Sequence, residues 1–260
     1  MAETMSKPFF VSLPGRGQVR IAGDDRLAFL QNLATNDIRL LDRQPVLYSC
    51  LLTPQGKFMH DFFVRQEGEA LLLECEGGKR AENLMKKMKP FRLRAKVELS
   101  FEPDIPVFAV FGAEQGCPDP RHAAMGWRTT VKPERIEEKP FAAWDEHRIR
   151  LGIPDGSRDM AVEKDTVLEC NIDRFNGASF EKGCYVGQEI TARMHLRGLV
   201  KKHLYAVDIK GPVPAPFTDI SFGGQLAGQM RSSWGNIGLA LLRDESLPQI
   251  EESSFKLIAA

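Results

Sequence analysis

The sequence lacks the paired cysteines and histidines that mark a metal site. Its 260 residues include five cysteines, an odd number, and no two of them form a Cys-X-X-Cys pair: Cys50, Cys75, Cys117, Cys170 and Cys184. The five histidines also lack the His-X-X-X-His type of ligand spacing. These absences argue against a disulfide framework and against a zinc or iron–sulfur centre held by this chain alone.

Charge and hydropathy exclude further classes of protein. Thirty-five basic residues balance 35 acidic ones, so no net charge favours nucleic acid as a partner. No apolar run reaches the 18 residues of a membrane span, and we expect no membrane partner. Residues Met1 to Val11 carry neither a secretory signal pattern nor an Arg-rich transit pattern, which predicts a cytoplasmic protein.

The first hundred residues alternate strand and helix patterns. Gly23-Asp24-Asp25 precedes a helical period of apolar residues, and Gly77-Gly78 opens a second helix that Pro90 ends. The lysines of that second helix lie mostly opposite its apolar face, which is typical of a solvated surface. Between and beside the helices, strands are predicted at Gln18–Ala22, Val46–Thr53, Phe58–Gln66, Leu71–Glu76 and Arg94–Phe101.

This order predicts an α+β fold in several parts. Residues 1–200 are expected to form an α+β body with two sub-units, about 1–104 and 105–200. From Lys201 onward the pattern changes to short alternating strands with a proline-rich turn, which predicts a small β domain over 201–260.

The segment Lys182–Glu189 carries the strongest chemical signal. Its single thiol, Cys184, follows a lysine and precedes a predicted helix, and two glycines are expected to let the backbone turn around it. The helix dipole and the Lys182 cation should both favour the thiolate, the form that acts as nucleophile or metal ligand. The alternative is a buried structural cysteine. Glu189 and Arg193 are spaced for a helical ion pair, and Gln188 is expected to bond either the loop or a ligand.

The same segment, Lys-Gly-Cys-Tyr-Val-Gly-Gln-Glu, resembles the signature of the YgfZ family at every fixed position. Three further stretches resemble that family and its T-protein relatives: residues 23–38, 52–57 and 148–154. The resemblance implies a T-protein-like (aminomethyltransferase-like) folate-binding fold and a role in iron–sulfur cluster assembly or repair. It also implies iron–sulfur assembly proteins or cluster enzymes as partners.

Residues 52–57 match a turn of the T-protein relatives that we call the glycine turn. Just after it the relatives carry a pair of aspartates, where this chain has His60-Asp61. The change removes the acid that aminomethyl transfer is thought to need, although a histidine can exchange protons near neutral pH. His60 is alternatively a strand residue that faces solvent or a pocket rim. The Gly-Tyr-Thr-Gly-Glu segment of the transferases is missing as well. Both departures favour an accessory protein over a transferase.

Tetrahydrofolate or a derivative is the expected small-molecule partner. A pterin needs an apolar slot, and its glutamate tail needs cations. The resemblance assigns Tyr185, Gln188, Glu189, Arg193, Arg197, Arg148, His60 and Asp61 to this cofactor site, with Phe62, Phe91 and Phe175 as further candidate walls. Three functions remain open: an accessory factor that uses Cys184, a folate-dependent aminomethyltransferase, and a binding module whose cysteine is structural.

Overall fold

A computed structural model of the chain describes residues 7–258. Fifteen strands occur within this range: β1 (Phe9–Ser12), β2 (Arg16–Ala22), β3 (Leu47–Leu52), β4 (Phe58–Glu67), β5 (Ala70–Glu76), β6 (Glu98–Glu102), β7 (Phe108–Phe111), β8 (Cys117–Pro118), β9 (Trp127–Thr129), β10 (Glu137–Lys139), β11 (Lys202–Ile209), β12 (Asp219–Phe222), β13 (Gln225–Trp234), β14 (Ile237–Arg243) and β15 (Phe255–Leu257).

Four α-helices lie between these strands: α1 (Arg26–Gln31), α2 (Lys79–Met88), α3 (Phe141–Arg150) and α4 (Gln188–Leu196). Short 3-10 helices occupy Ile38–Asp42, Lys89–Arg92, Ala123–Met125, Gly156–Arg158 and Asp244–Glu252. None of the helices within residues 7–258 has the length and hydropathy of a membrane span.

The strands form three five-stranded sheets. The first sheet has the order β3-β4-β5-β2-β6, the second β10-β1-β7-β9-β8, and the third β12-β13-β14-β11-β15. The strand pairings are mainly antiparallel, and strands and helices alternate over the first hundred residues, as predicted. The strands β1 and β8–β10 are two to four residues long and were not predicted, because so short a run gives no measurable alternation.

Contacts divide the chain into two compact units. One contains the chain up to Leu51, His60–Trp144 and Phe175–Val186, and the other contains Leu52–Met59, Asp145–Arg174 and the chain from Gly187 onward. The predicted boundary at residue 200 coincides with the start of the third sheet, but three segments before it cluster with that sheet. The division into 1–200 and 201–260 therefore stays a prediction, and residues 1–6 and 259–260 of it lie outside the described range.

In the first unit, α1 and α2 pack on the first sheet in one apolar core. Leu30 of α1 and Leu84 of α2 are both fully buried there, against Phe62 of β4 and Leu73 of β5. Phe62 is thus a core residue, which removes it from the predicted folate walls. In the second unit, the third sheet has its own core, which includes Val207, Met230 and Leu242.

Candidate functional site

The signature segment presents its thiol between two buried residues. Lys182 and Tyr185 are buried, whereas Gly183 and Cys184 between them are exposed. The backbone N–H of Val186 donates to the carbonyl of Asn32 at 3.1 Å, which fixes the chain on the C-terminal side of the thiol. Cys184 therefore lies on a short exposed stretch that is anchored on both sides. It precedes Gly187, the N-cap residue of α4, by three positions, so the cysteine lies before the helix, as predicted.

Lys182 provides the anchor on the near side. Its ammonium donates to the carbonyl oxygens of Gln31 at 2.7 Å, Ala34 at 2.6 Å and Asn36 at 2.8 Å, and lies 5.0 Å from the ring centre of Tyr185. A lysine has three N–H donors, and all three are engaged. Burial lowers the pKa of Lys182 to about 8. The predicted catalytic role of this ammonium beside Cys184 is therefore revised, because its donors hold the backbone.

The carbonyl groups that accept hydrogen bonds from Lys182 lie at the C-terminal end of α1 and in the turn that follows it. The last carbonyls of a helix have no partner inside the helix, and Gln31 is the last residue of α1. Lys182 and Val186 satisfy this end of α1 and the turn behind it. The sequence places these two stretches about 150 residues apart, so no local pattern predicts their contact.

Polar residues of the same turn bind the chain that leads into the signature. The hydroxyl of Thr35 donates to the carbonyl of Gly177 at 2.6 Å, and the amide of Asn36 donates to the carbonyl of Asn176 at 2.8 Å. The N–H of Ser179 donates in turn to the carbonyl of Thr35 at 3.0 Å. Residues 31–36 thus act as a platform for residues 176–186. Both stretches include residues that resemble the YgfZ family, and the structure shows that hydrogen bonds join them.

The two glycines of the signature differ. Gly187 has a φ of +85°, and a Cβ at this position would lie 2.6 Å from the carbonyl oxygen of Thr53 in the glycine turn. A side chain cannot fit there without a shift of the backbone. A Cβ on Gly183 would meet no atom within 4 Å, and its φ is not in the left-handed region. The expectation that both glycines serve a tight turn is therefore confirmed for Gly187 and wrong for Gly183.

Cys184 is the exposed member of the cysteines. Cys50, Cys75 and Cys170 are buried, and Cys117 is half-buried. Burial raises the pKa of the Cys75 thiol to about 12 and that of Cys170 well above its usual range. Buried thiols of this kind stay protonated and inert at neutral pH. No group of three or more His, Cys, Asp or Glu side chains within the described residues is placed to hold a metal ion.

The helix that follows confirms the predicted ion pair. Arg193 donates to Glu189 at 2.9 Å on the exposed face of α4. Such a pair stabilises a helix by a few tenths of a kcal/mol. Gln188 is the first residue of α4 and is half-buried, while Arg197 follows the helix and is exposed. The side chains of Arg193 and Arg197 are thus accessible to an anionic ligand.

His60 and Asp61 lie on β4 and are both buried. The Nε2 atom of His60 lies 2.9 Å from Oδ1 of Asn83, and Asp61 accepts a hydrogen bond from the hydroxyl of Tyr48 at 3.0 Å. Burial, with the nearby Arg80 charge, lowers the pKa of His60 to about 4. Its imidazole is therefore neutral at pH 7 and does not replace the missing acid of the transferases. The alternative of a solvent-facing His60 is also wrong.

Arg148 is fully buried and belongs to an ionic network inside the second unit. Its guanidinium donates to Asp145 and Asp159, each at 2.7 Å, to the hydroxyl of Ser232 at 2.7 Å and to the carbonyl of Ile153 at 3.0 Å. An arginine whose donors are engaged in this way has none left for a folate tail. The prediction of Arg148 as a tail partner is therefore wrong, and its role is structural.

The residues fit a folate in part. Arg193 and Arg197 are accessible cations, and Tyr185 is a buried aromatic with a cation over its ring. A cavity of about 200 Å³ beside the end of α4 is lined by Met194, His195 and His203 among others. Its volume is below the roughly 300–1,000 Å³ of typical ligand pockets. The chemistry that favours a folate here is thus the pair of arginines rather than this cavity.

Comparison with solved structures identifies the fold. The chain is similar to the glycine cleavage system aminomethyltransferase T from Bartonella henselae, with a TM-score of 0.69 over 92% of this chain and 79% of that one. The sequence identity is 11%, so the likeness establishes the fold alone. The predicted α+β, T-protein-like fold with a C-terminal β domain is thereby confirmed. Residues 201–256 match the family model of the CAF17 C-terminal β-barrel domain.

Sequence relatives then identify the family. The chain is 31% identical to the mitochondrial iron–sulfur cluster assembly factor IBA57 of Mus musculus, over 95% of this chain and 82% of that protein. It is 33% identical to the IBA57 of Homo sapiens, over 90% of this chain and 77% of that protein. The fold and the anchored cysteine define a T-protein-like chain that presents one thiol. The chain belongs to the family of the iron–sulfur cluster assembly factor IBA57.

The same comparison corrects the predicted location. Both relatives are named as mitochondrial proteins, which contradicts the prediction of a cytoplasmic protein. That prediction rested on a pattern missing from Met1–Val11, and a missing pattern does not identify a compartment.

Proposed function

We propose that this chain is an accessory protein of iron–sulfur cluster assembly and that it presents Cys184 as a ligand to a cluster carried by a partner protein. The observation that carries the proposal is the exposed thiol between two buried residues, Lys182 and Tyr185. An anchored backbone holds the sulfur in one place at the protein surface. The names of the relatives support the assembly role.

The cluster in this proposal is the cargo of the protein, and the partner supplies most of its ligands. Clusters are usually held by four ligands, and one thiolate cannot hold one alone. The described residues contain no second group of ligands to complete the set. The open space beside Gly183 leaves room for a partner to approach the sulfur. Assembly proteins or cluster enzymes with exposed cysteines are the partners that fit.

A reduced folate is the second ligand that we propose. The T-protein-like fold supports it, as do the accessible guanidinium groups of Arg193 and Arg197, which can pair with the carboxylates of the glutamate tail. Tyr185, a residue of the signature itself, is the aromatic candidate. Arg148 is excluded from this set because its donors are engaged. Bound folate would supply a one-carbon carrier, while the residues of this chain bind and orient it.

Aminomethyl transfer is less well supported. The fold likeness favours it, but the position of the transferase acid is taken by His60, which burial keeps neutral. We therefore place the chain with accessory proteins. A glycine-cleavage assay with this chain as the transferase component should give no activity above the background. Activity comparable to that of a transferase would reverse this assignment.

The assembly role is tested by reconstitution with a purified partner. The chain and an iron–sulfur scaffold protein are mixed with ferrous iron, ferric iron and sulfide in the absence of oxygen. The complex is isolated by gel filtration, and its iron and sulfide contents are measured. The wild type should give a complex with a cluster, whereas Cys184→Ser should lose it. Cys117→Ser, which removes the half-buried thiol, is the matched control and should behave as the wild type. A complex that survives Cys184→Ser with its full cluster content would contradict the proposal.

A further inference from the structure

One short part of the chain is strongly basic although the whole chain is neutral. Residues 79–96, which we call the basic segment, contain eight Lys or Arg residues and one acidic residue, Glu82. The basic segment comprises α2, the 3-10 helix Lys89–Arg92 and the turn that follows. All of it lies in the first unit. The balancing acidic residues are elsewhere in the chain, so the segment forms a local region of positive charge.

Most of these cations face solvent. Three of them have carboxylate partners: Lys86 pairs with Glu82 at 2.7 Å, Arg80 with Glu76 at 3.3 Å and Lys96 with Asp24 at 3.8 Å. Lys89, Arg92 and Arg94 are exposed, and none of them has an ion pair with the described residues. These three cations, Lys89, Arg92 and Arg94, therefore lie together just after the C-terminal end of α2, without an ion pair to any residue of 7–258.

Two apolar side chains project from the same place. The side chain of Leu93 is 89% exposed and that of Phe91 is 41% exposed. Leu93 is the most exposed large apolar residue of the described chain, and cations flank it on both sides. Isolated exposed apolar residues are common on protein surfaces. An aliphatic and an aromatic residue that alternate with unpaired cations form a more specific pattern.

The backbone holds Leu93 in a conformation that leucine disfavours. The N–H of Ala95 donates to the carbonyl of Arg92 at 2.7 Å, which closes a turn with Leu93 as its second residue. Leu93 has φ 41° and ψ −108°, close to the second position of a type II′ turn, where glycine dominates. The N–H of Lys96 donates to Asp25 at 2.7 Å and fixes the end of the turn. Leucine is strained here and its exposed side chain stabilises nothing within the molecule, which points to a contact outside it.

We propose that residues 89–94 form a tip that docks this protein on the surface of an anionic membrane. Leu93 and Phe91 would insert at the boundary between headgroups and acyl chains, and Lys89, Arg92 and Arg94 would contact the anionic headgroups. This contact lies at the surface and needs no membrane span. It revises the expectations of a merely solvated lysine face and of no membrane partner. It is independent of the role of Cys184.

The pattern fits a membrane better than a nucleic acid. Single-stranded nucleic acids are bound by aromatic side chains on which the bases stack. The most exposed apolar residue of the tip is instead a leucine, which offers no ring to a base. An aliphatic side chain surrounded by cations matches the chemistry of a lipid surface, with apolar chains below a layer of negative charge.

The test is co-sedimentation of the full chain with vesicles of phosphatidylcholine, prepared with or without phosphatidylserine. Leu93→Gly removes the inserted side chain and places the favoured residue in the turn. Arg92→Gln with Arg94→Gln removes two cations of the tip. The matched controls are Val131→Ser, an exposed apolar residue outside the basic segment, and Lys210→Gln with Lys256→Gln, two exposed cations, one just after β11 and one in β15.

The wild type should bind the anionic vesicles and not the neutral ones, and salt should weaken the binding. The Arg92/Arg94 variant should bind on the order of 25-fold less, at roughly fivefold for each cation. Leu93→Gly should lose binding although it melts at or above the wild-type temperature, which separates lost docking from unfolding. Both controls should bind as the wild type.

Three results would overturn the proposal. The first is equal binding of the wild type to neutral and anionic vesicles, or to neither. The second is full vesicle binding by Leu93→Gly. The third is tighter binding to single-stranded RNA than to vesicles at the same salt concentration, with no effect of Leu93→Gly, because the basic segment would then be a nucleic-acid site.

Discussion

The ammonium nitrogen of Lys182 lies 2.6 Å from the carbonyl oxygen of Ala34. This contact joins a lysine two residues before the candidate ligand Cys184 to the turn after α1, almost 150 residues earlier in the chain. Two further carbonyls, of Gln31 and Asn36, complete the environment of the ammonium. The lysine of the signature thus positions the backbone that carries the thiol.

Lys182→Met should therefore destabilise the fold. The methionine has a similar length but no donor, so three carbonyls around the buried ammonium lose their partner. We expect the free energy of unfolding to fall by about 3 kcal/mol, measured by urea denaturation. Lys201→Met, at an exposed lysine, is the control and should change it by less than about 0.5 kcal/mol. Equal stability of Lys182→Met and the wild type would show that the ammonium is not a structural anchor.

The two glycines of the signature should respond differently to the same substitution. Gly187→Ala introduces a Cβ 2.6 Å from the Thr53 carbonyl, at a left-handed φ, and should lower the free energy of unfolding by about 2 kcal/mol or more. Gly183→Ala should cost less than about 0.5 kcal/mol, because the new methyl group meets open space. Thermal denaturation of the two variants compares them directly. Similar losses at both positions would refute the distinction.

The stability that His60 contributes should decrease in acid. The native state keeps His60 neutral down to a pKa of about 4, whereas the unfolded chain binds a proton at about 6.5. The unfolded state therefore holds more protons between these values, and stability is lost as the pH falls from 6.5 to 4. Relative to His60→Gln, the wild type should lose about 3 kcal/mol over this range. A difference that does not change with pH would mean that His60 titrates normally in the native state.

Substitution of Arg148 should affect the stability of the fold, whereas substitution of Arg197 should affect folate binding. Arg148→Met leaves Asp145 and Asp159 buried without their cation and should lower the free energy of unfolding by about 3–5 kcal/mol. Arg197→Met should leave stability within about 0.5 kcal/mol of the wild type, because this arginine is exposed. Calorimetric titration with tetrahydrofolate should then show weaker binding for Arg197→Met. Unchanged folate affinity would remove Arg197 from the proposed tail site.

Local pattern predicted much of the fold. The period of apolar residues in α2, opened by Gly78 and followed by Pro90, gave a helix that the structure places at Lys79–Met88. The apolar runs of β3, β4 and β5 were also close to their observed bounds. Such patterns suffice because each element buries one face against a common core.

The site was predicted less completely, because its contacts connect distant parts of the chain. Nothing near Lys182 in the sequence indicates that its partners are the carbonyls at the end of α1. The sequence does not distinguish Gly183 from Gly187, and their different roles follow from the backbone conformation and the atoms around each one. The sequence likewise suggests that Arg148 is available to a ligand, whereas in the structure it is paired with Asp145 and Asp159.

We propose that the Cys184 sulfur is the atom through which this protein acts on a cluster. The most direct measurement is the activity of cluster-dependent enzymes in cells whose own copy of the protein carries Cys184→Ser, beside cells that carry Cys117→Ser. Protein levels are matched by immunoblotting. We expect Cys184→Ser to lower these activities to the level of cells without the protein, and Cys117→Ser to leave them unchanged. Full activity with Cys184→Ser would contradict the proposal.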